Sequence, residues 1–247
     1  MSSSQFWSAT PLEVAEVSSA VTTVSELQEK QHATVLSPGS VSHLLLPRRS
    51  LYELSGSFVN TRYHELMSIL QEGEINSSPE ETHYQRHLWR MRKLVSEARG
   101  LVLDIGCGNP LVGAALFKPS VSYVAIDPFA SDGNPLALRG VAEDLPFDNS
   151  VFDATVFNTS LDHVQDYVTA LDEARRILVA NGSLFLATLV WVDHYSLVTD
   201  QVHFHHFKQF EIAGALEHCG FKVNSCSWYR YKTDTHRVGL YLHAIAS

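Results

Sequence analysis

The feature that most constrains this chain is a change of rhythm at Gly100. Beyond it, short apolar runs alternate with amphipathic stretches: LVLDI (101–105), VSYVAID (121–127), ALRGVAE (137–143), VFDATVFN (151–158) and SLFLATLVWV (183–192). Runs of that length, bounded by Gly, Pro, Asn and Asp, read as buried strands. VQDYVTALDEARRILVA (164–180) carries the helical period and is stopped by Asn181 and Gly182, and KQFEIAGALEHCG (208–220) is a second helix closed by Gly220. Strand and helix in alternation predict an α/β fold: a doubly wound, mostly parallel sheet of seven strands with helices on both faces. FKVNSCSWYRY and RVGLYLHAIA have no helix between them and predict a closing antiparallel hairpin.

Ahead of Gly100 the signal is weaker. Residues 1–40 are rich in Ser, Thr, Val and Glu with little periodicity. TRYHELMSILQEG (61–73) reads as a short helix, and Ser78 with Pro79 as a helix start. Tyr84, Leu88, Met91, Val95 and Ala98 then form one apolar helical stripe ending at Gly100. The chain therefore divides into an N-terminal extension with a helical cap or lid role (1–80) and an α/β domain (81–247).

LVLDIGCGNP (101–110) sets two glycines one residue apart directly after a strand. Gly106 and Gly108 let the backbone approach a ligand, and Asp104 offers an acceptor to a cationic or N–H group on it. A dinucleotide fingerprint would need a third glycine three residues later, where Leu111 stands. Asp127 follows the turn at the distance that suits a ribose diol. GVAEDLPFDNSVFD (140–153) supplies an acidic pair and an apolar residue suited to an adenine.

With these motifs in order, residues 80–247 resemble the class I S-adenosylmethionine-dependent methyltransferases, in the broad small-molecule group with motifs like LDIGCG, AEDLPF and DEARRILVANGSLFLA. The resemblance implies S-adenosylmethionine as cofactor, leaving as S-adenosylhomocysteine. It places Asp104, Gly106, Cys107 and Gly108 around the methionine moiety, and Asp127 and Pro128 at the ribose. Glu143, Asp144 and Leu145 would frame the adenine, and Asn158 would lie under the sulfonium. One departure is the short PFASDGNPL stretch after Asp127, which leaves little room for the usual helix.

The expected reaction is methyl transfer to a small acceptor, foremost to an oxygen of a sugar or secondary metabolite. Carbon methylation of a quinone or lipid-like acceptor and a non-catalytic scaffold are the alternatives. Asp162 and His163, after the fourth strand, and His203, His205 and His206 in HFHHF are the acceptor-side candidates, with His163, Asp162 and His203 foremost. His163 reads equally as a packing residue, and HFHHF as a loop rim with Phe204 and Phe207 in the core. A divalent ion among Asp162, His163 and a later histidine would polarise a diol. None of them has a recognised ligand spacing, so no metal ligand is assigned. Asp193 and His194 belong to the same loop region, and Tyr63, His64, Tyr84 and His87 read first as helix-packing residues.

Acidic residues number 27 against 18 basic, a formal net charge of −9 that disfavours nucleic acid as a partner. The basic run RHLWRMRK (86–93) reads as a solvated helix face. Three scattered cysteines suggest a reducing compartment and no disulfide framework. No secretory leader and no apolar run of membrane-spanning length is seen, so a cytoplasmic location is expected. A small-molecule acceptor and, at most, a second copy of the chain are the expected partners.

Overall fold

The computed structural model describes residues 33–45, 82–131, 133–191, 203–208, 210–230 and 236–247. The helix expected over 61–73, the start at Ser78 and Pro79, and Tyr63, His64, Asp193 and His194 lie outside the described residues.

The described strands are β1 (Thr34–Val35), β2 (Leu101–Ile105), β3 (Ser122–Asp127), β4 (Leu138–Arg139), β5 (Phe152–Asn158), β6 (Leu178–Trp191), β7 (Phe221–Arg230) and β8 (Arg237–Ala246). They form one eight-stranded sheet in the order β1-β3-β2-β5-β6-β8-β7, with β4 also on β3. All pairs through β6 are parallel, and β8 runs antiparallel to both β6 and β7. The parallel sheet with its antiparallel hairpin is as expected. The strand beyond the expected seven is β1, two residues from the stretch that carried no periodicity. Thr34 pairs with Ser122 at the start of β3, while Leu138 pairs with Ile126 at its end, so β1 and β4 share one edge.

Helices α1 (Thr82–Leu94), α2 (Pro110–Ala114), α3 (Tyr167–Ile177) and α4 (Glu211–His218) complete the described framework. Alternation along the strands divides the core in two. Leu103, Val124, Ile126, Leu184, Leu186, Leu240 and Leu242 pack with Leu171, Ala174, Ile212 and Leu216 of α3 and α4. Val102, Tyr123, Ala125, Val156, Phe185 and Tyr241 pack with Leu88 and Met91 of α1 and Ala114 of α2. The 84–98 stripe does what its spacing predicts, since Leu88, Met91, Val95 and Ala98 are all buried.

Two boundaries differ from the sequence reading. Helix α3 ends at Ile177, ahead of Asn181 and Gly182. Leu178 already pairs with Phe152, and after an irregularity in register Ser183 pairs with Ala154. Asn181, at φ 60°, thus turns the chain inside β6 and does not stop the helix. The third expected strand shrinks to Leu138–Arg139, and no helix occurs among the described residues between β3 and β4.

Residues 33–45, on the extension side of the boundary drawn at 80, are joined to the α/β domain through β1 and further contacts. Leu45 bridges Phe147, the Asp148 N–H donates to the Leu44 carbonyl at 3.2 Å, and Val41 is buried in the α3–α4 core.

Candidate active site

Strand order turns at β2: the chain first moves out to β3, then returns to place β5 on the other side. Open α/β sheets bind ligands beyond the carboxyl ends at such a point. A cavity of about 370 Å³ lies there, within the usual size of small-molecule pockets.

Its floor is the glycine turn. The Gly106 and Cys107 N–H groups donate to the Ile126 carbonyl at 2.9 and 3.2 Å, which ties the turn to β3. Gly106 has φ 72°, and a Cβ there would stand 2.6 Å from the Ser160 Cβ. Gly108 has φ 55°, and a Cβ there would meet nothing within 4 Å, so its backbone faces open space. The next residues are committed elsewhere: Asn109 caps α2, its Oδ1 accepting from the Leu111 N–H at 3.1 Å, and Pro110 opens the helix.

Asp127, at the end of β3, lines the cavity. Its Oδ2 accepts the Gly108 N–H at 2.8 Å and its Oδ1 the Phe129 N–H at 2.8 Å. Each oxygen keeps a further lone pair for a diol. Burial raises its pKa, and the two N–H bonds oppose the shift. Pro128 lines the same wall.

Asp104 stands elsewhere. It does not line the cavity but lies beneath the turn, 1% exposed, with Oδ2 accepting the Tyr123 hydroxyl at 2.6 Å. Burial raises its pKa to about 7, with the Tyr123 bond opposing and the charge of Asp127 adding. Cys107 lines the cavity, and burial first, then Asp104 and Asp127, raise its thiol far above the ordinary value, so it stays protonated.

The wall expected from Glu143, Asp144 and Leu145 is formed by Val141, Ala142 and Glu143. Leu145 is buried in the core and gives its N–H to Glu173 Oε2 at 2.8 Å. Glu143 Oε1 accepts from the Gln165 and Asp166 N–H groups at 2.7 and 3.2 Å, and burial raises its pKa. Arg176 completes the support: it grips Glu173 through two nitrogens at 2.7 and 2.8 Å and donates to the carbonyls of Phe147 and Leu145 at 2.7 and 2.9 Å. Nothing in the local pattern announced that brace, because Glu173 and Arg176 reach a loop 28 to 31 positions away.

The opposite wall belongs to β5 and α1. Asn158 lines the cavity, and its Oδ1 stands 2.8 Å from His87 Nε2. Tyr84 and His87, read first as helix-packing residues, both reach the cavity. Thr159, with φ 58°, and Ser160, whose hydroxyl donates to the Ile105 carbonyl at 2.5 Å, also line it and had no sequence signal.

The acceptor-side candidates converge. A 3-10 turn, Leu161–His163, follows β5. His163 lines the cavity. Behind it Asp162 is 1% exposed, with His163 Nε2 at 3.9 Å and His203 Nε2 at 3.7 Å from its carboxylate. The two imidazoles stack with centroids 4.6 Å apart. The loop holding His203 is docked by the Phe204 and His205 N–H groups, which reach the Asp162 carbonyl at 2.9 and 3.1 Å. His205 and His206 are not part of the ligand group: His205 Nε2 stands 3.2 Å from the Gln165 carbonyl, and His206 packs edge-on against both Trp191 and His203. Phe207 is in the core and Phe204 is half-buried.

The sequence and the fold are similar to those of known proteins. Residues 103–186 match the family model of a methyltransferase domain. A ubiquinone biosynthesis O-methyltransferase of Xylella fastidiosa is 26% identical over 175 residues, 60% of this chain and 71% of that protein. A demethylmenaquinone methyltransferase of Staphylococcus carnosus is 28% identical over 142 residues, 50% of this chain and 54% of that one. Among solved structures, a Burkholderia thailandensis 1,6-didemethyltoxoflavin-N1-methyltransferase, with that compound and S-adenosylhomocysteine bound, shares the fold at a TM-score of 0.59 and 16% identity, covering 81% of this chain and 92% of that one.

The methyltransferase-domain match over residues 103–186 and the curated methyltransferase relatives support an S-adenosylmethionine-dependent methyltransferase. Its cofactor is S-adenosylmethionine, which supplies an electrophilic methyl on a sulfonium. The site fits that group: open space over Gly108, spare lone pairs on Asp127 and the acidic Asp127 and Glu143 all suit a cationic ligand with a ribose. No helix among the described residues is long and apolar enough to cross a membrane.

Proposed function

We propose that this enzyme methylates a hydroxyl oxygen of a small organic acceptor entering between Tyr84 and His163. The observation that carries the reading is the Asp162–His163–His203 cluster, whose His163 lines the cavity. As the new C–O bond forms from an oxygen lone pair, the C–S bonding pair stays on sulfur and the hydroxyl proton must leave. Attack by an activated carbon asks for far less help. A buried carboxylate with two imidazoles suits the first reaction.

In this reading the backbone of Gly106, Cys107 and Gly108 receives the methionine moiety, and Asp104 supports that turn from below. Asp127 and Pro128 hold the ribose. Val141, Ala142 and Glu143 receive the adenine, with Asp144 and Leu145 anchoring their loop. Asn158, held by His87, orients the reacting end, and Asp162, His163 and His203 promote loss of the acceptor's proton. A hydroxylated ring of the quinone-precursor kind is supported by the name of the Xylella relative and by the Tyr84 ring on the wall; a sugar or secondary-metabolite hydroxyl asks for the same chemistry. Carbon methylation of a quinone-like acceptor is the second reading and draws on the quinone in the Staphylococcus relative's name. The acidic balance and three free cysteines support a cytoplasmic enzyme working on a dissolved substrate.

The test uses cofactor labelled with carbon-13 at the methyl and a panel of catechols, hydroquinones and sugars. The expected product carries an O-methyl resonance, and His163→Ala slows its formation by about a hundredfold or more. A C-methyl resonance, or full activity in His163→Ala, would overturn the reading.

A further inference from the structure

The convergence of one carboxylate and two imidazoles on a point beside the cavity has a use beyond packing. We infer that Asp162, His163 and His203 form a binding site for a divalent transition-metal ion. The inference rests on the acceptor-side reading above, because the bound ion would face the acceptor hydroxyl.

Four observations carry it. One ligand atom from each residue lies within 4.8 Å of the other two; His163 Nε2 stands 3.9 Å from Asp162 Oδ1 and His203 Nε2 3.7 Å from Asp162 Oδ2. Atoms sharing an ion with bonds of about 2.0–2.2 Å stand roughly 3.0–3.5 Å apart, so small side-chain rotations close the set. Asp162 is buried, and its Oδ1 has no hydrogen-bond partner. A buried carboxylate oxygen without a donor carries a large desolvation cost, which a cation offsets. The donor set itself, two nitrogens and an oxygen, is one that zinc, cobalt and iron(II) favour and that magnesium and calcium do not. Backbone bonds from Phe204 and His205 to the Asp162 carbonyl bring His203 to the site from a distant part of the chain.

Such an ion would act as a Lewis acid. An acceptor hydroxyl bound to it loses its proton to water more readily, and the alkoxide or phenoxide oxygen is left to take the methyl. His163 lines the cavity and so places the ion at its edge.

The full chain without an affinity tag, stripped with chelator, is titrated with cobalt(II) and with zinc alone. The readouts are visible absorption and calorimetry, with S-adenosylhomocysteine affinity and methyl transfer measured on the same samples. One cobalt per chain should bind with new visible bands. Asp162→Asn and His203→Gln should each weaken binding by at least about tenfold, while His218→Ala, an exposed residue on α4, should leave it unchanged. Melting curves establish that each variant folds. No cobalt uptake by the stripped wild type, or uptake unaltered in both ligand variants, overturns the site. If methyl transfer to hydroxyls survives stripping without uptake, the ion fails and the O-methylation reading stands. If cobalt binds as expected but no hydroxyl is methylated, the site stands and that reading fails.

Discussion

His87 Nε2 and Asn158 Oδ1 stand 2.8 Å apart although 71 positions separate them in the chain. The bond joins helix α1 to the carboxyl end of β5. On the far side of the ring, Nδ1 stands 2.9 Å from the Tyr241 hydroxyl. A neutral imidazole donating from Nε2 and accepting at Nδ1 satisfies all three groups. The carboxamide nitrogen of Asn158 is thereby left for the cavity.

That ring must stay neutral, and this gives a pH prediction. Burial first, then the charge of Arg90, lower the His87 pKa from 6.5 to about 4, with the Asn158 bond opposing. Between those values the unfolded chain takes up a proton that the folded chain refuses. Stability is therefore full above about pH 6.5 and falls as the pH drops toward 4, by about 3 kcal/mol at most. Urea denaturation at stepped pH should show the decline, and His87→Gln should flatten it.

Asp104 runs the other way. Its pKa rises from 3.8 unfolded to about 7 folded. The folded chain keeps a proton that the unfolded chain has lost, so this contribution is full below pH 3.8 and disappears as the pH climbs through 7. Asp104→Asn keeps an acceptor for Tyr123 without the titration. It should be less sensitive than the wild type between pH 5 and 8, and gain in denaturant midpoint at the alkaline end.

The segments that local chemistry governs were legible in the sequence, and those set by distant partners were not. The strand, glycine turn and capped helix of 101–114 announce themselves because each residue's conformation depends on its neighbours. The acidic pair in AEDLPF was equally visible. The commitment of the Leu145 N–H to Glu173 was not, because 28 positions separate the two. Likewise Tyr84 and His87 lie on a helix whose stripe predicts burial, but only the position of Asn158 makes its first turns a cavity wall. Strand β1, two residues long, has no period to read.

Removing the Asp127 carboxylate should weaken cofactor retention. Each of its oxygens is already oriented by a backbone N–H, so the diol meets a preorganised acceptor pair. Titration calorimetry with S-adenosylhomocysteine should show Asp127→Ala binding at least about tenfold more weakly, as expected for hydrogen bonds to a charged group. Equal affinities in variant and wild type would remove Asp127 from the site.

Gly113 is a packing position. A Cβ there would lie 2.1 Å from the Tyr123 hydroxyl and 2.5 Å from Asp104 Oδ2. Gly113→Ala should cost about 1–3 kcal/mol through overpacking, read as a lowered melting temperature. Pairing it with Tyr123→Phe, which removes the nearer atom, should recover part of that loss.

Asn109 and Pro110 have a bearing on redesign. The first turn of α2 meets its own capping side chain, and its leading residue has no N–H to offer. Exchanging Leu111 for the missing third glycine would therefore still leave the N–H of position 111 on the Asn109 cap and none at Pro110. Moving this scaffold to a nicotinamide cofactor would require rebuilding the whole 109–111 corner, so the two cofactor classes are separated here by several coordinated substitutions and not by one.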